Sequence, residues 1–306
     1  MGRLLYTKNI GFDMKDWEKL SMKKVFAGTG CIMAVTEDGR TLQKIADPTR
    51  ASRTEYWTRI AQISVSNCCC GHAIGLVQDG TCMIAKRPLR FLTDRHNFID
   101  ALSFNEVNNK IKSWSRIVQV AVSDSYFALD ADGKVHYAAA NRFEENDYHD
   151  VTMWTNVKKM VPALQNGILC ITGEGKILCA GASFTKGPHG NAQKKLSEFN
   201  HVIDVCVTGS EGEEVYVVMK DGTIIEAFSG RKLDGFKAYH SSADEKTIDC
   251  TFDYKVFCLD SNRLLRSLND DPTYPPVRYF SFPFIRYPEQ LSSFAVKDGE
   301  IIAVSV

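Results

Sequence analysis

The sequence has no excess of charge of either sign: 37 lysines and arginines face 37 aspartates and glutamates over 306 residues. No field of the whole protein draws in nucleic acid or an anionic membrane, so neither is an expected partner. Long apolar runs are missing too. Val215 to Met219 falls far short of the ~20 residues that a membrane-crossing helix needs. Arg3, Lys8, Asp13, Lys15 and Asp16 interrupt the first twenty residues, leaving no apolar core for a secretory leader, and a cytoplasmic protein is expected. Recognisable catalytic motifs are absent: there is no Gly-x-Ser-x-Gly elbow, no His-Glu-x-x-His and no Walker-type phosphate loop. Cys68, Cys69 and Cys70 stand near His72, but no second cluster with Cys-x-x-Cys spacing completes a tetrahedral metal site. The ten cysteines, mostly beside apolar residues, read as reduced thiols serving as small hydrophobes. No cofactor, metal or catalytic residue is expected, and the seven histidines read as structural or surface groups.

What is present is a repeat. Asp-Gly or a close relative recurs at Asp38-Gly39, Asp79-Gly80, Asp132-Gly133, Glu174-Gly175, Asp221-Gly222 and Asp298-Gly299, with Ser261-Asn262 standing in once. The spacings are 41, 53, 42, 47, 40 and 37 residues, the scale of a propeller blade. Four residues before each turn stand Val35, Leu76, Leu129, Ile171, Val218, Cys258 and Ala295; two residues after it come Thr41, Cys82, Val135, Ile177, Ile224, Leu264 and Ile301. Apolar strand, turn and second strand make a β-hairpin, and a two-residue type I′ turn is expected at each Asp-Gly because it needs positive φ at both central residues.

All four tryptophans, Trp17, Trp57, Trp114 and Trp154, precede their turn glycine by 19 to 23 residues, and Phe199 stands in the same relation to Gly222. Each is followed three residues later by an aliphatic residue, and six residues on come Ile63, Val120, Met160 and Val205; the first copy slips by two to Val25. One shared position for every tryptophan predicts a packing role between neighbouring repeats. Some helix is expected in Asp100 to Lys112, where the alternation is lost.

Gly71-His72 through Leu76 and Asp79-Gly80, preceded by Trp57, Ile60 and Ile63, resembles a repeat of the regulator-of-chromosome-condensation family, and the other copies keep that skeleton without the Gly-His. The family's tryptophan-glycine and Gly-Gln-Leu-Gly segments do not follow Ala85, Ala139 or Ala180, so degenerate bacterial-type members are the nearer comparison. The resemblance implies an all-β chain: one domain over residues 1–306, a seven-bladed β-propeller with four-stranded blades. The half-repeat Gly2-Arg3-Leu4-Leu5-Tyr6 is expected to close the ring as an outer strand of the last blade.

The expected function is binding. A monomeric module, not an enzyme, is expected to hold a protein partner on one face of the ring. The resemblance also implies narrower versions, exchange on a small GTPase or inhibition of an enzyme. A lyase or hydrolase at the channel mouth is the alternative from another class. Candidate contacts lie on the longer connections: Arg87, Arg90, Phe91, Arg95 and His96 in one, Phe143 and Tyr148 in a second, and His189 in a third. A solvated, variable loop explains the same composition.

Overall fold

The computed structural model describes residues 2–7, 10–28, 31–46, 53–54, 56–66, 72–85, 98–139, 148–163, 167–185, 192–208, 214–233, 237–239, 246–250, 256–268, 290–297 and 300–306. These form seven small antiparallel sheets. The short strand β1 (Leu4–Tyr6) is set aside by the chain for the last of them. The first sheet is β2 (Met22–Gly28), β3 (Cys31–Thr36) and β4 (Thr41–Ile45); the second is β5 (Ile60–Val65), β6 (Ala73–Val77) and β7 (Cys82–Ile84). The third is β8 (Ile117–Val122), β9 (Tyr126–Asp130) and β10 (Val135–Ala138); the fourth is β11 (Val157–Pro162), β12 (Ile168–Thr172) and β13 (Ile177–Ala180). The fifth has four strands, β14 (Val202–Thr208), β15 (Glu214–Met219), β16 (Ile224–Glu226) and β17 (Lys232–Leu233). The sixth is β18 (Ile248–Cys250), β19 (Val256–Leu259) and β20 (Leu265–Ser267), and the seventh joins β21 (Leu291–Lys297) and β22 (Glu300–Ser305) to β1, with Leu4 opposite Val304.

A two-layer repeat cannot bury both faces of a sheet alone, and here each core lies between two successive sheets. Trp57 packs with Cys31, Met33 and Val35 of the first sheet and Ile60 and Ile63 of the second. Trp114 packs between the second and third sheets, and half-buried Trp154 between the third and fourth. Trp17 joins Leu4, Ile302 and Val304 of the last sheet to Met22 and Ile32 of the first. The contact is close: a Cβ on Gly75 would lie 2.7 Å from the Trp57 ring, so only glycine lets β6 approach it.

Two sequence expectations need correction. Six of the seven sheets have three strands among the described residues, not four. Beside the third strands, helix α1 (Phe98–Lys112), on the segment Asp100 to Lys112 where helix was expected, lies against β7 and β10, a 3-10 turn (His149–Met153) against β10, and, beyond the short helix α2 (Ala182–Thr185), helix α3 (Ala192–Leu196) against β13. A helix covers a sheet edge as well as a strand does, because it brings its own backbone pairing.

The turns also differ. In the first six hairpins three residues, not two, separate the strands: Gly39 donates its N–H to Thr36 O, and Thr36 donates to Arg40 O. Only the glycine has positive φ, +79° at Gly39, which is a type I turn closed by a left-handed residue. In the sixth hairpin the left-handed residue is Arg263 at 62°, not Asn262, so the repeat is one residue out of the sequence register there. Leu259 pairs with Leu265 as Leu129 pairs with Val135. The Arg263 backbone is held by its own side chain, which donates from Nε to Leu291 O (2.8 Å) and from Nη1 to Tyr239 Oη (3.0 Å).

Candidate functional site

The first four hairpin turns are joints to the next sheet. The carbonyl oxygens of Gly39, Gly80, Gly133 and Gly175 accept the N–H of Ile60, Ile117, Val157 and Val202, the first residues of the following inner strands, at 2.9 to 3.0 Å. Turns and strand entries therefore share one face of the molecule.

The inner strands β2, β5, β8, β11, β14, β18 and β21 touch in chain order, and β21 touches β2. They surround a cavity of about 180 Å³. Each presents a sheet edge to it, and unpaired edge N–H groups must find acceptors. A bulge near the start of β2, β5, β8, β11, β14 and β21 turns the next residue toward the neighbouring sheet. These residues are Lys24, Gln62, Gln119, Lys159, Asp204 and Ser293, polar in every case.

They form a belt. Gln62 Oε1 accepts the Val120 N–H (3.0 Å), and Ser64 Oγ accepts that of Val122 (3.0 Å). Gln119 accepts from Met160 N (2.7 Å) and donates to Met160 O (2.8 Å). Lys159 Nζ lies 3.0 Å from Asp204 Oδ2, both side chains buried, and the same carboxylate accepts Thr247 N at 2.6 Å. Asp249 Oδ2 pairs with Lys246 (3.0 Å) and accepts Val296 N (3.3 Å). Ser293 Oγ then accepts Val25 N (3.2 Å), which links the seventh sheet to the first. Packing around its stem would lower the Lys246 pKa, but the charges of Asp249 and Asp204 outweigh that and raise it. Cys206 and Cys250 also line the cavity, and burial pushes the Cys206 thiol well up, so it stays protonated.

Of the candidate contacts, Arg87, Arg90, Phe91, Arg95, His96, Phe143 and His189 lie outside the described residues, as does the Cys68 to Cys70 run. Tyr148 is within them and is buried: its ring meets Phe127 edge-on at 5.1 Å, and its hydroxyl donates to Asp124 at 2.7 Å. It is a wall residue between the third and fourth sheets. His72 is buried too, with Nδ1 2.9 Å from the Tyr126 hydroxyl. Among the described residues no group of three metal-ligating side chains converges, and no helix is long and apolar enough to cross a membrane. The described cysteines, Cys31, Cys82, Cys170, Cys179, Cys206, Cys250 and Cys258, are all buried.

The belt escaped the sequence reading, yet it leaves a trace: the residue five positions after Trp57, Trp114, Trp154 and Phe199 is Gln62, Gln119, Lys159 or Asp204, polar inside a strand that is otherwise largely apolar. Also unforeseen were Tyr56 and Met153, 61% and 78% exposed, each immediately before a tryptophan of the repeat. Trp57 O accepts the N–H of Thr41, just past the first turn, which puts Tyr56 on the turn-bearing face.

No protein-family model matches the sequence, and no curated protein matches it. Solved structures do match. Yeast RCC1 (Prp20), crystallised bound to Kap60, is similar over 97% of this chain and 82% of that one, at 11% identity and a TM-score of 0.57. Human WBSCR16 is similar over 94% and 87%, at 12% identity and 0.56. The fold is a β-propeller. The CRINKLY WD40 ectodomain of the Arabidopsis thaliana receptor kinase ACR4 is also similar, over 86% and 82%, at 10% identity and 0.51. At such identities the likeness is one of propeller fold alone.

Proposed function

We propose that residues 1–306 form a single seven-bladed propeller of the regulator-of-chromosome-condensation type, closed by β1, whose turn-bearing face binds a protein partner without catalysis. Seven interlocking cores and the β1 to β22 pairing support the closed ring. The polar residues of the channel support a scaffold role, since they hold neighbouring sheets together.

The observation that carries the binding reading is the exposure of Tyr56, on the face that bears the turns, together with that of Met153 at the equivalent position of the repeat. An aromatic and a flexible thioether displayed beside buried or half-buried tryptophans are suited to protein contact. Exposed ion pairs such as Arg116 with Asp132 (2.8 Å) add polar groups to the turn-bearing face.

Affinity purification from the native host tests this. The chain is expected to bring down one stoichiometric protein, and Tyr56→Ser/Met153→Ser to lose it with its circular dichroism unchanged. Recovery of the chain alone contradicts the reading. Retention by that variant, with loss on alanine replacement of Arg87, Arg90, Phe91, Arg95 and His96, moves the contact to the long loop and contradicts the choice of face.

A further inference from the structure

The boundary between the fifth and sixth sheets holds a pair of thiols. Cys206 on β14 and Cys250 on β18 belong to one buried core with Tyr216, Ile248, Val256 and Cys258, and both line the central cavity. Cys250 Sγ donates to Val207 O at 2.9 Å, which seats that sulfur beside the backbone next to Cys206, and the two thiols are in hydrogen-bond contact with each other. The Asp204 carboxylate fixes this approach by accepting the Thr247 and Ile248 N–H groups. The other described cysteines are placed differently. Cys170 stands opposite Leu178 and Cys179 opposite Leu169, so those two thiols point to opposite faces of the fourth sheet. Cys258 lies diagonally across from Cys250, whose direct partner is Val256, a separation of about 7–8 Å. Cys31 and Cys82 lie in separate cores.

We propose that Cys206 and Cys250 are an oxidation site, at which hydrogen peroxide entering the channel joins the fifth and sixth sheets by a disulfide. The cavity of about 180 Å³ has room for roughly six water volumes at ~30 Å³ each, enough for so small an oxidant. The Lys246 ammonium is within electrostatic reach of Cys250, and a cation there stabilises an attacking sulfur anion. Cys250, having lost its proton, attacks one peroxide oxygen; the O–O bond breaks, hydroxide leaves and takes up a proton as water, and Cys250 becomes a sulfenic acid. The Cys206 sulfur then attacks the Cys250 sulfur, the S–O bond breaks, and the hydroxyl leaves as a second water with the Cys206 proton. Both thiols are oxidised and the peroxide is reduced to two waters. Burial holds the Cys206 proton in place, which suits it to the second step and not the first. The bond closes a loop of the unfolded chain between residues 206 and 250 and so favours the folded state. The site needs no protein partner and is independent of the interaction reading.

The test uses the full chain, reduced, freed of reductant and treated while folded with hydrogen peroxide, then alkylated with iodoacetamide in urea and digested for mass spectrometry. The expected product is a peptide pair holding Cys206 and Cys250, lighter by two hydrogens than the two peptides together and absent after dithiothreitol. The oxidised chain is expected to unfold at a higher urea midpoint than the reduced one. Cys206→Ser is expected to stop one step earlier, with Cys250 as a sulfenic acid that dimedone traps in the urea step, and to lose the rise in midpoint. Serine keeps nearly the same volume, and circular dichroism checks the fold of that variant; the map of the unaltered chain needs no variant. Full alkylation of both cysteines in the peroxide-treated unaltered chain overturns the proposal. So does a cross-link from either of them to Cys258 or to any other thiol in place of the expected one.

Discussion

Asp204 Oδ2 lies 3.0 Å from Lys159 Nζ, and neither side chain reaches solvent to any useful extent: they are 1% and 7% exposed. The pair joins the fourth sheet to the fifth, while the Thr247 and Ile248 N–H groups join the same carboxylate to the sixth. One residue thereby sets the register of three sheets.

Removing one member of a buried pair leaves an uncompensated charge, which costs about 3–5 kcal/mol. Asp204→Ala is expected to fall in that range, because it strands the Lys159 ammonium and the Thr247 N–H together. Lys159→Met is expected to cost less, since the Asp204 carboxylate keeps its bonds to backbone N–H groups. Urea denaturation of the two variants gives the order, and equal costs would argue against the three-sheet role.

The turn glycines answer to two constraints that can be separated. Gly175 has φ +75°, and a Cβ there would lie 2.6 Å from His201 Cα of the next sheet. Gly230 has nearly the same φ, +74°, with nothing within 4 Å. Gly230→Ala is expected to cost only the left-handed backbone penalty of about 1–2 kcal/mol. Gly175→Ala should exceed it by several kcal/mol, because backbone of the neighbouring sheet would have to move. Thermal melting compares them.

Deleting residues 1–10 removes β1 and with it Leu4 and Leu5, both fully buried in different cores. At about 2 kcal/mol or more for each lost leucine, the deletion is expected to cost at least ~4 kcal/mol and to broaden the unfolding transition. An unaltered melting curve would contradict closure of the ring by β1.

Burial pushes the thiols of Cys82 and Cys179 up to about 12 each. A folded pKa raised above the unfolded value, about 8.5, means that the folded state holds the proton more tightly. The associated stability is complete below the unfolded pKa and is lost as pH rises towards 12. The urea midpoint should fall between about pH 8 and about pH 10.5, and fall less in Cys82→Ala/Cys179→Ala. Identical slopes would count against buried protonated thiols.

The hairpins were legible because the alternation and the turn glycine are local signals, and the tryptophans because a large ring at one repeat position has few uses other than packing. The sixth turn was misplaced by one residue because Asn262 has the better intrinsic preference for positive φ, while Arg263 is held there by Leu291 and Tyr239, distant in the chain. Helix α1 was legible because the strand alternation is lost over Asp100 to Lys112, whereas the short helix α3 gave no such signal, having only five residues. The belt from Gln62 to Ser293 stayed hidden because nearly all of its bonds span about 40 residues or more, and several depend on a bulge that no dipeptide announces. Tyr56 and Met153 escaped notice for the opposite reason: exposure is decided by which neighbours are absent.

A photo-crosslinking amino acid placed at Tyr56 tests the binding face most directly. On illumination in the native host, the account predicts one covalent adduct with a single protein species, and none from the same residue placed at Lys112 on the outer helix. No adduct at Tyr56, or the same adduct at both positions, would contradict it.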